Sequence, residues 1–249
     1  MDLMRRGVLG GLAAVTIMGA APAFPQSAIK GPVLVFGATG KLGADIVKAL
    51  IASGNKVTAF TRATSNRDLL KGLDVTYVTG DVFNPADVTA AFKSAKFRAA
   101  IVALRVEDND LHFYEKAMGA IAAGAKSAGV GQIIHHGAVG AGDNAKQFAN
   151  LGWEKVPDLL ARMKDQGVGE DKIKATGVPY TIIRNSRVHP ETTPATGKAE
   201  LTEDQSVIGP MTRADLAVLT MKCLDNTACF NKTYHVKDPS LTWPPPKQG

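Results

Sequence analysis

The sequence predicts an α/β protein built on a doubly wound parallel sheet, and three observations predict it. The apolar run Val33-Leu34-Val35-Phe36 breaks off in Gly37-Ala38-Thr39-Gly40-Lys41-Leu42-Gly43. Helical spacing of apolar residues then follows through Ile46, Val47, Leu50 and Ile51, so the stretch reads as strand, tight turn and helix. Short strand-like and longer helix-like patterns alternate onward to about Arg184, as in parallel strands joined by covering helices. The composition, 249 residues at 45% hydrophobic and 21% charged, is that of one folded domain with a small lobe.

The first 28 residues form a separate category. Met1 to Arg6 is a short basic start, Gly7 to Ala21 is apolar, and Ala21-Pro22-Ala23 has the small residues a signal peptidase accepts. The apolar run is short for a membrane span. Arg5-Arg6 before Gly7-Val8-Leu9 resembles a twin-arginine export signal, which carries proteins already folded. A periplasmic protein is expected, with no membrane attachment after cleavage; a retained anchor is the alternative. Ala23 to Gly31 reads as linker, and residues 29–249 as the folded domain.

Strand one and its helix run to about Ser53, where Gly54-Asn55 stops the helix. Lys56 to Thr61 is strand two. Leu73 to Thr79 alternates as strand three and ends in Gly80-Asp81-Val82. Asn84-Pro85 then supplies a helix cap and a first helical residue. Ala99 to Leu104 is strand four, entering a polar loop at Arg105. Phe113 to Ala128 is an Ala-rich helix closed by Gly129. Gln132 to His136 is strand five, followed by Gly137-Ala138-Val139-Gly140 as a turn. Pro157 to Thr176 is a long helix with a break expected at Gly167 to Gly169. Tyr180 to Arg184 is strand six. His189 to Gly209, rich in Pro, Thr and charge, reads as an irregular lobe over the strand ends. Thr212 to Leu224 is a helix capped by Thr212, Thr233 to Val236 a last short strand, and the tail from Pro239 loose.

The first turn carries the chemistry. Gly37 and Gly40 can take backbone angles closed to other residues and admit a ligand closely. Gly43 lets the helix pack tightly on the sheet. The unbonded N–H groups at the helix start, with the helix dipole, suit an anion such as a pyrophosphate. The alternative is a glycine turn with no ligand. In a dinucleotide site an acid usually closes strand two and binds the ribose 2′-hydroxyl; here the strand closes on Phe60-Thr61-Arg62. An arginine there suits a 2′-phosphate, which favours NADP over NAD, with Arg67 able to assist; a solvated Arg62 is the bland reading. Asp81 lies where ligands gather, as an adenine contact or as a turn-forming Asp.

Other classes are disfavoured. The net charge of +6 comes from scattered Lys and Arg with no basic aromatic stripe, so nucleic-acid binding is not expected. Two cysteines and unsuitable histidine spacing argue against a metal site. Cys223 and Cys229 either pair across a short loop or remain thiols.

The chain resembles the atypical short-chain dehydrogenases, which include NmrA-like regulators and biliverdin-IXβ/flavin reductases. The resemblance rests on Phe36 to Gly43, Thr61-Arg62, Gly80-Asp81-Val82, Ala175 to Arg184 and Thr212 to Ala217. It implies a Rossmann-like fold, with Thr39, Gly40, Lys41 and Leu42 lining the pyrophosphate, Arg62 at the 2′-phosphate and Asp81 and Val82 at the adenine. It places Leu104 and Arg105 along the cofactor's middle, and Gly137 and Ala138 on the nicotinamide side. Arg213 and Asp215 match signature positions of the group, read as a helix-start salt bridge. Classical members carry a Ser after strand five and Tyr-x-x-x-Lys on the next helix. This chain has His135-His136-Gly137 and no Tyr between that strand end and Tyr180, so their alcohol–ketone chemistry is not expected. What remains is hydride transfer to a small planar acceptor, with His136 as the candidate proton donor or a packed strand-end residue. The other readings are a non-catalytic NADP(H)-binding sensor and an empty adaptor.

Overall fold

The computed structural model describes residues 30–106, 110–190 and 192–243. The export signal therefore lies outside the described residues. One eight-stranded sheet runs in the order β3-β2-β1-β4-β5-β6-β8-β7. Its strands are β1 (Val33–Phe36), β2 (Val57–Thr61), β3 (Val75–Thr79), β4 (Ala99–Val102), β5 (Ile133–Ala138), β6 (Tyr180–Asn185), β7 (Glu200–Thr202) and β8 (Lys232–Lys237). All neighbours pair in parallel except β7 with β8. The helices are α1 (Lys41–Ala52), α2 (Pro85–Lys93), α3 (Phe113–Ala128), α4 (Leu159–Lys174) and α5 (Arg213–Cys223). Among the described residues, no helix is long and apolar enough to cross a membrane.

The central strands are apolar on both faces because both are covered. Val33, Val35, Ile101, Ile134 and Ile183 face the layer containing α1 and α5. Leu34, Phe36, Val102 and Ile133 face the layer of α2 and α3, with Ile173 of α4. On α1 the spacing Ile46, Val47, Leu50 places its buried face on the sheet.

Three expectations need correction. Strand five continues through Gly137 and Ala138, which pair with Arg184 and Asn185 instead of turning away. Helix α4 is unbroken across Gly167 and Gly169. A Cβ on Gly167 would lie 2.4 Å from the Gly142 Cα, and one on Gly169 3.0 Å from Met118 and Tyr114 side-chain atoms. These glycines serve close packing, and the helix tolerates them because tertiary contacts outweigh propensity. The irregular lobe also holds β7, whose three residues add an antiparallel edge to β8. Cys223 and Cys229 are joined by a disulfide that ties the end of α5 to the turn before β8.

Candidate functional site

Strand order reverses at β1, flanked by β2 on one side and β4 on the other. That reversal opens a crevice at the strands' C-terminal ends, where α/β sheets bind ligands. Gly37 turns the chain there with φ of +78°, and a Cβ on it would lie 2.5 Å from the Ala103 carbonyl oxygen. A Cβ on Gly43 would lie 2.0 Å from the Gly37 carbonyl oxygen. Glycine is therefore required at both places, and α1 starts pressed against the turn.

The start of α1 is bare. Gly40 occupies the cap position with no side-chain hydrogen bond, and the first turn holds no acid. The first helical bond runs from the Ala44 N–H to the Gly40 carbonyl at 2.8 Å, so the preceding amides have no acceptor within the helix. This is a cradle for an anion, open to a cleft of about 960 Å³.

One cleft gathers nearly every residue expected from sequence. Gly37, Thr39, Gly40, Lys41 and Leu42 line one wall, Arg62, Asp81 and Val82 the β2–β3 end, and Leu104 and Arg105 the middle. Gly137 and Ala138 line the far end, with His136 beside them. Gly43 is the exception: it stands behind the turn and acts through packing. Arg62 is exposed just beyond β2. Arg67 does not join it in the cleft lining; its guanidinium lies 4.3 Å from the Tyr77 ring centre and 3.2 Å from Thr61 Oγ1. Asp81 makes the turn anticipated for it, Oδ1 accepting from the Phe83 N–H at 2.9 Å, while also lining the cleft.

His136 takes a different part from the proton donor considered above. Strand alternation turns its side chain toward α5, where Nε2 meets Thr220 Oγ1 at 2.9 Å. Thr220 donates its own proton to the Leu216 carbonyl at 2.7 Å, so His136 is the donor of the pair. Burial, with neighbouring His135, pushes the His136 pKa down to about 3. A neutral imidazole committed to Thr220 ties β5 to α5. His135 points to the opposite layer, with its ring 6.3 Å from Tyr114, and burial with Arg184 nearby holds its pKa at about 4.

The far end of the cleft also contains residues that the sequence reading missed. Tyr114 from α3, Gln166 from α4 and Asn185 from β6 line it. Gln166 and Glu170 stand four apart on α4, the helix after β5. Glu170 is fully buried and clamped by Arg184, with Nε to Oε1 at 3.0 Å and Nη2 to Oε2 at 2.6 Å. Arg184 Nη1 also reaches Gln205 Oε1 at 3.0 Å, fastening the C-terminal lobe. A Cβ on Gly137 would stand 2.7 Å from Glu170 Oε1, so the ion pair also fixes glycine at that strand end. The signal for this end is Gly169 in α4, which marks where α4 touches Tyr114 and Met118 of α3.

The signature residues at α5 hold the lobe. Asp215 accepts from the N–H groups of Thr196 and Gly197, both at 3.0 Å, and Arg213 Nη1 donates to the His189 carbonyl at 2.7 Å.

Comparison with known proteins agrees with this geometry. Residues 37–227 match a family described as NAD(P)H-binding. Sterol demethylase protein B of Methylococcus capsulatus is 35% identical over 130 residues, half of this chain and 40% of that protein's length. The chain thus spans well under two thirds of that relative. ChuY of Escherichia coli O157:H7, described as an anaerobilin reductase, superposes with a TM-score of 0.71 at 24% identity, covering 85% of this chain and 99% of ChuY. A Veillonella parvula short-chain dehydrogenase/reductase in complex with NADP gives 0.68 at 14% identity, covering 86% and 98%. These two likenesses establish the fold, and the family match runs from the cradle glycine to beyond α5. The chain belongs to the NAD(P)H-binding family.

Proposed function

We propose that the protein is an NADP(H)-dependent reductase passing hydride to a small planar acceptor of the flavin or quinone type. The observation that carries this reading is the cleft's asymmetry. One end is the uncapped start of α1 with Arg62 at its rim; the other is walled by Tyr114, Gln166 and Asn185. The volume of about 960 Å³ lies at the upper end of the usual range for ligand pockets.

Thr39, Gly40, Lys41 and Leu42 would hold the diphosphate, Arg62 the 2′-phosphate, and Asp81 and Val82 the adenine. Leu104 and Arg105 would flank the middle, and Gly137 and Ala138 the nicotinamide side. Once bound, the nicotinamide supplies the hydride. The protein's part is to orient two flat rings, and solvent supplies the proton, since Glu170 is spent on Arg184. The reductase named for ChuY supports this reading, as does the NADP complex of the second neighbour. The lack of a tyrosine–lysine pair on α4 favours the second reading, a non-catalytic NADP(H)-binding sensor.

We also place the protein in the periplasm, exported folded with its nucleotide by the twin-arginine route. The Cys223–Cys229 disulfide suits an oxidising compartment. Its partner there is a small-molecule acceptor, with neither nucleic acid nor membrane involved.

The test is to purify the protein from its native compartment, assay bound nicotinamide, and follow NADPH oxidation with flavins and quinones. Turnover sinks the sensor; bound nicotinamide without turnover sinks the reductase. Arg62→Ala should weaken NADPH by roughly tenfold or more and leave NADH nearly unchanged. Equal losses for both would remove the preference for NADP.

A further inference from the structure

Gln166 is only 7% exposed, lines the far end of the cleft, and has a carboxamide oxygen without a hydrogen-bond partner among the described residues. An orphaned buried acceptor is costly and is rarely kept without a use.

The orientation of this amide follows from its neighbour. Tyr114, 6% exposed, directs its hydroxyl at the Leu104 carbonyl at 3.3 Å. A carbonyl only accepts, so the Tyr114 proton goes there. The tyrosine oxygen is then left to accept, and the Val106 N–H and the Gln166 side chain lie against it. Beside that oxygen, Gln166 has Oε1 as the end of its carboxamide without a partner.

The pair is held rigidly. Asp165, next to Gln166, accepts from the Tyr114 and Glu115 N–H groups at 2.8 and 2.9 Å, capping α3 from α4. Gly169 permits the approach, since a Cβ there would stand 3.0 Å from the Tyr114 Cβ. One turn beyond Gln166, Glu170 is locked to Arg184.

We propose that Gln166 Oε1 selects the acceptor: it receives a hydrogen bond from a ring N–H, so the site takes a planar heterocycle bearing an imide or lactam N–H in preference to a quinone. Tyr114 is a positioning residue that fixes the orientation of Gln166 and has no proton of its own to spare. The inference rests on the reductase reading and narrows its substrate class.

The probes are lumiflavin and N3-methyl-lumiflavin, compared by flavin fluorescence quenching in the presence of NADP. The wild type should bind lumiflavin roughly tenfold or more tightly than the methylated ring. Gln166→Leu should erase the difference while leaving NADPH affinity unchanged. Tyr114→Phe, which releases the amide to rotate, should shrink the preference without abolishing turnover. Equal binding of the two flavins by the wild type, or a loss of NADPH affinity in Gln166→Leu, would overturn the inference and leave the reductase reading in place. If neither flavin binds, the inference falls, and turnover with quinones decides the reductase reading separately; circular dichroism and unfolding midpoints confirm that each variant is folded.

Discussion

Helices α1 and α5 lie side by side on one face of the sheet, yet they begin in opposite ways. The start of α1 has a glycine at its cap position, no side-chain hydrogen bond and no acid in its first turn. The start of α5 is closed by its own residues: Thr212 Oγ1 accepts from the Asp215 N–H at 3.0 Å and donates to Asp215 Oδ2 at 2.7 Å. Helix α5 is tied again at mid-length through Thr220 to His136, and at its end by the disulfide. A missing cap typically costs about 1 kcal/mol, which a chain accepts where an outside anion supplies the missing acceptor. One helix is finished within the fold, and its neighbour is left to be finished by a ligand.

That contrast can be broken most severely at Asp215. It is 2% exposed and accepts from two lobe amides besides serving α5. Asp215→Ala should cost about 3 kcal/mol, read as a lower urea midpoint, with the cradle unaffected. A loss below about 1 kcal/mol would mean that the lobe holds itself.

The next effect is acid sensitivity. In the unfolded chain His135 and His136 take up protons below about pH 6.5. In the folded protein they resist protonation down to about 4 and about 3. The unfolded state therefore binds more protons between those limits, and stability should fall as pH drops from 6.5 toward 3, being full above that window. His136→Gln, which removes one of the two groups, should flatten the fall between pH 6.5 and 4.5. An unchanged slope would place the sensitivity elsewhere.

The smallest change in stability sharpens the contrast best. Gly40 has φ −74° and ψ 163°, angles open to any residue, and a Cβ there would meet only the Gly37 carbonyl oxygen, at 3.3 Å. Gly40→Asp would give α1 the kind of internal cap that α5 already has. The protein without nucleotide should gain roughly 0.5 kcal/mol, while NADPH binding collapses because a carboxylate occupies the phosphate's place. Undiminished NADPH binding would show that the cradle is not the anchor.

The same two helices mark what the sequence could and could not reveal. The start of α1 was legible because its reason is local: an apolar strand, glycines at fixed offsets and a helical spacing all fall within Val33 to Leu50. The cap of α5 was legible for the same reason. The acceptor end was not, because Tyr114 and Gln166 come from different helices and meet only through Asp165 and Gly169. Gly167 and Gly169 looked like helix breakers because their packing partners, Gly142 and Tyr114, are distant in the chain. For His136 the strand pattern alone does not give its partner; Thr220 comes from a helix far downstream.

The two margins of the sheet bear on how the molecule behaves among its own kind. At one, β7 is only three residues long, with Glu200 set beside Lys237. At the other, the Arg67 guanidinium lies across Tyr77 of β3. A rim so brief, charged or overlain offers an unfolded neighbour little backbone to zip onto. Crowded copies are thus given no ready ladder to lengthen, and the sheet stays a closed piece of cloth, hemmed on both sides.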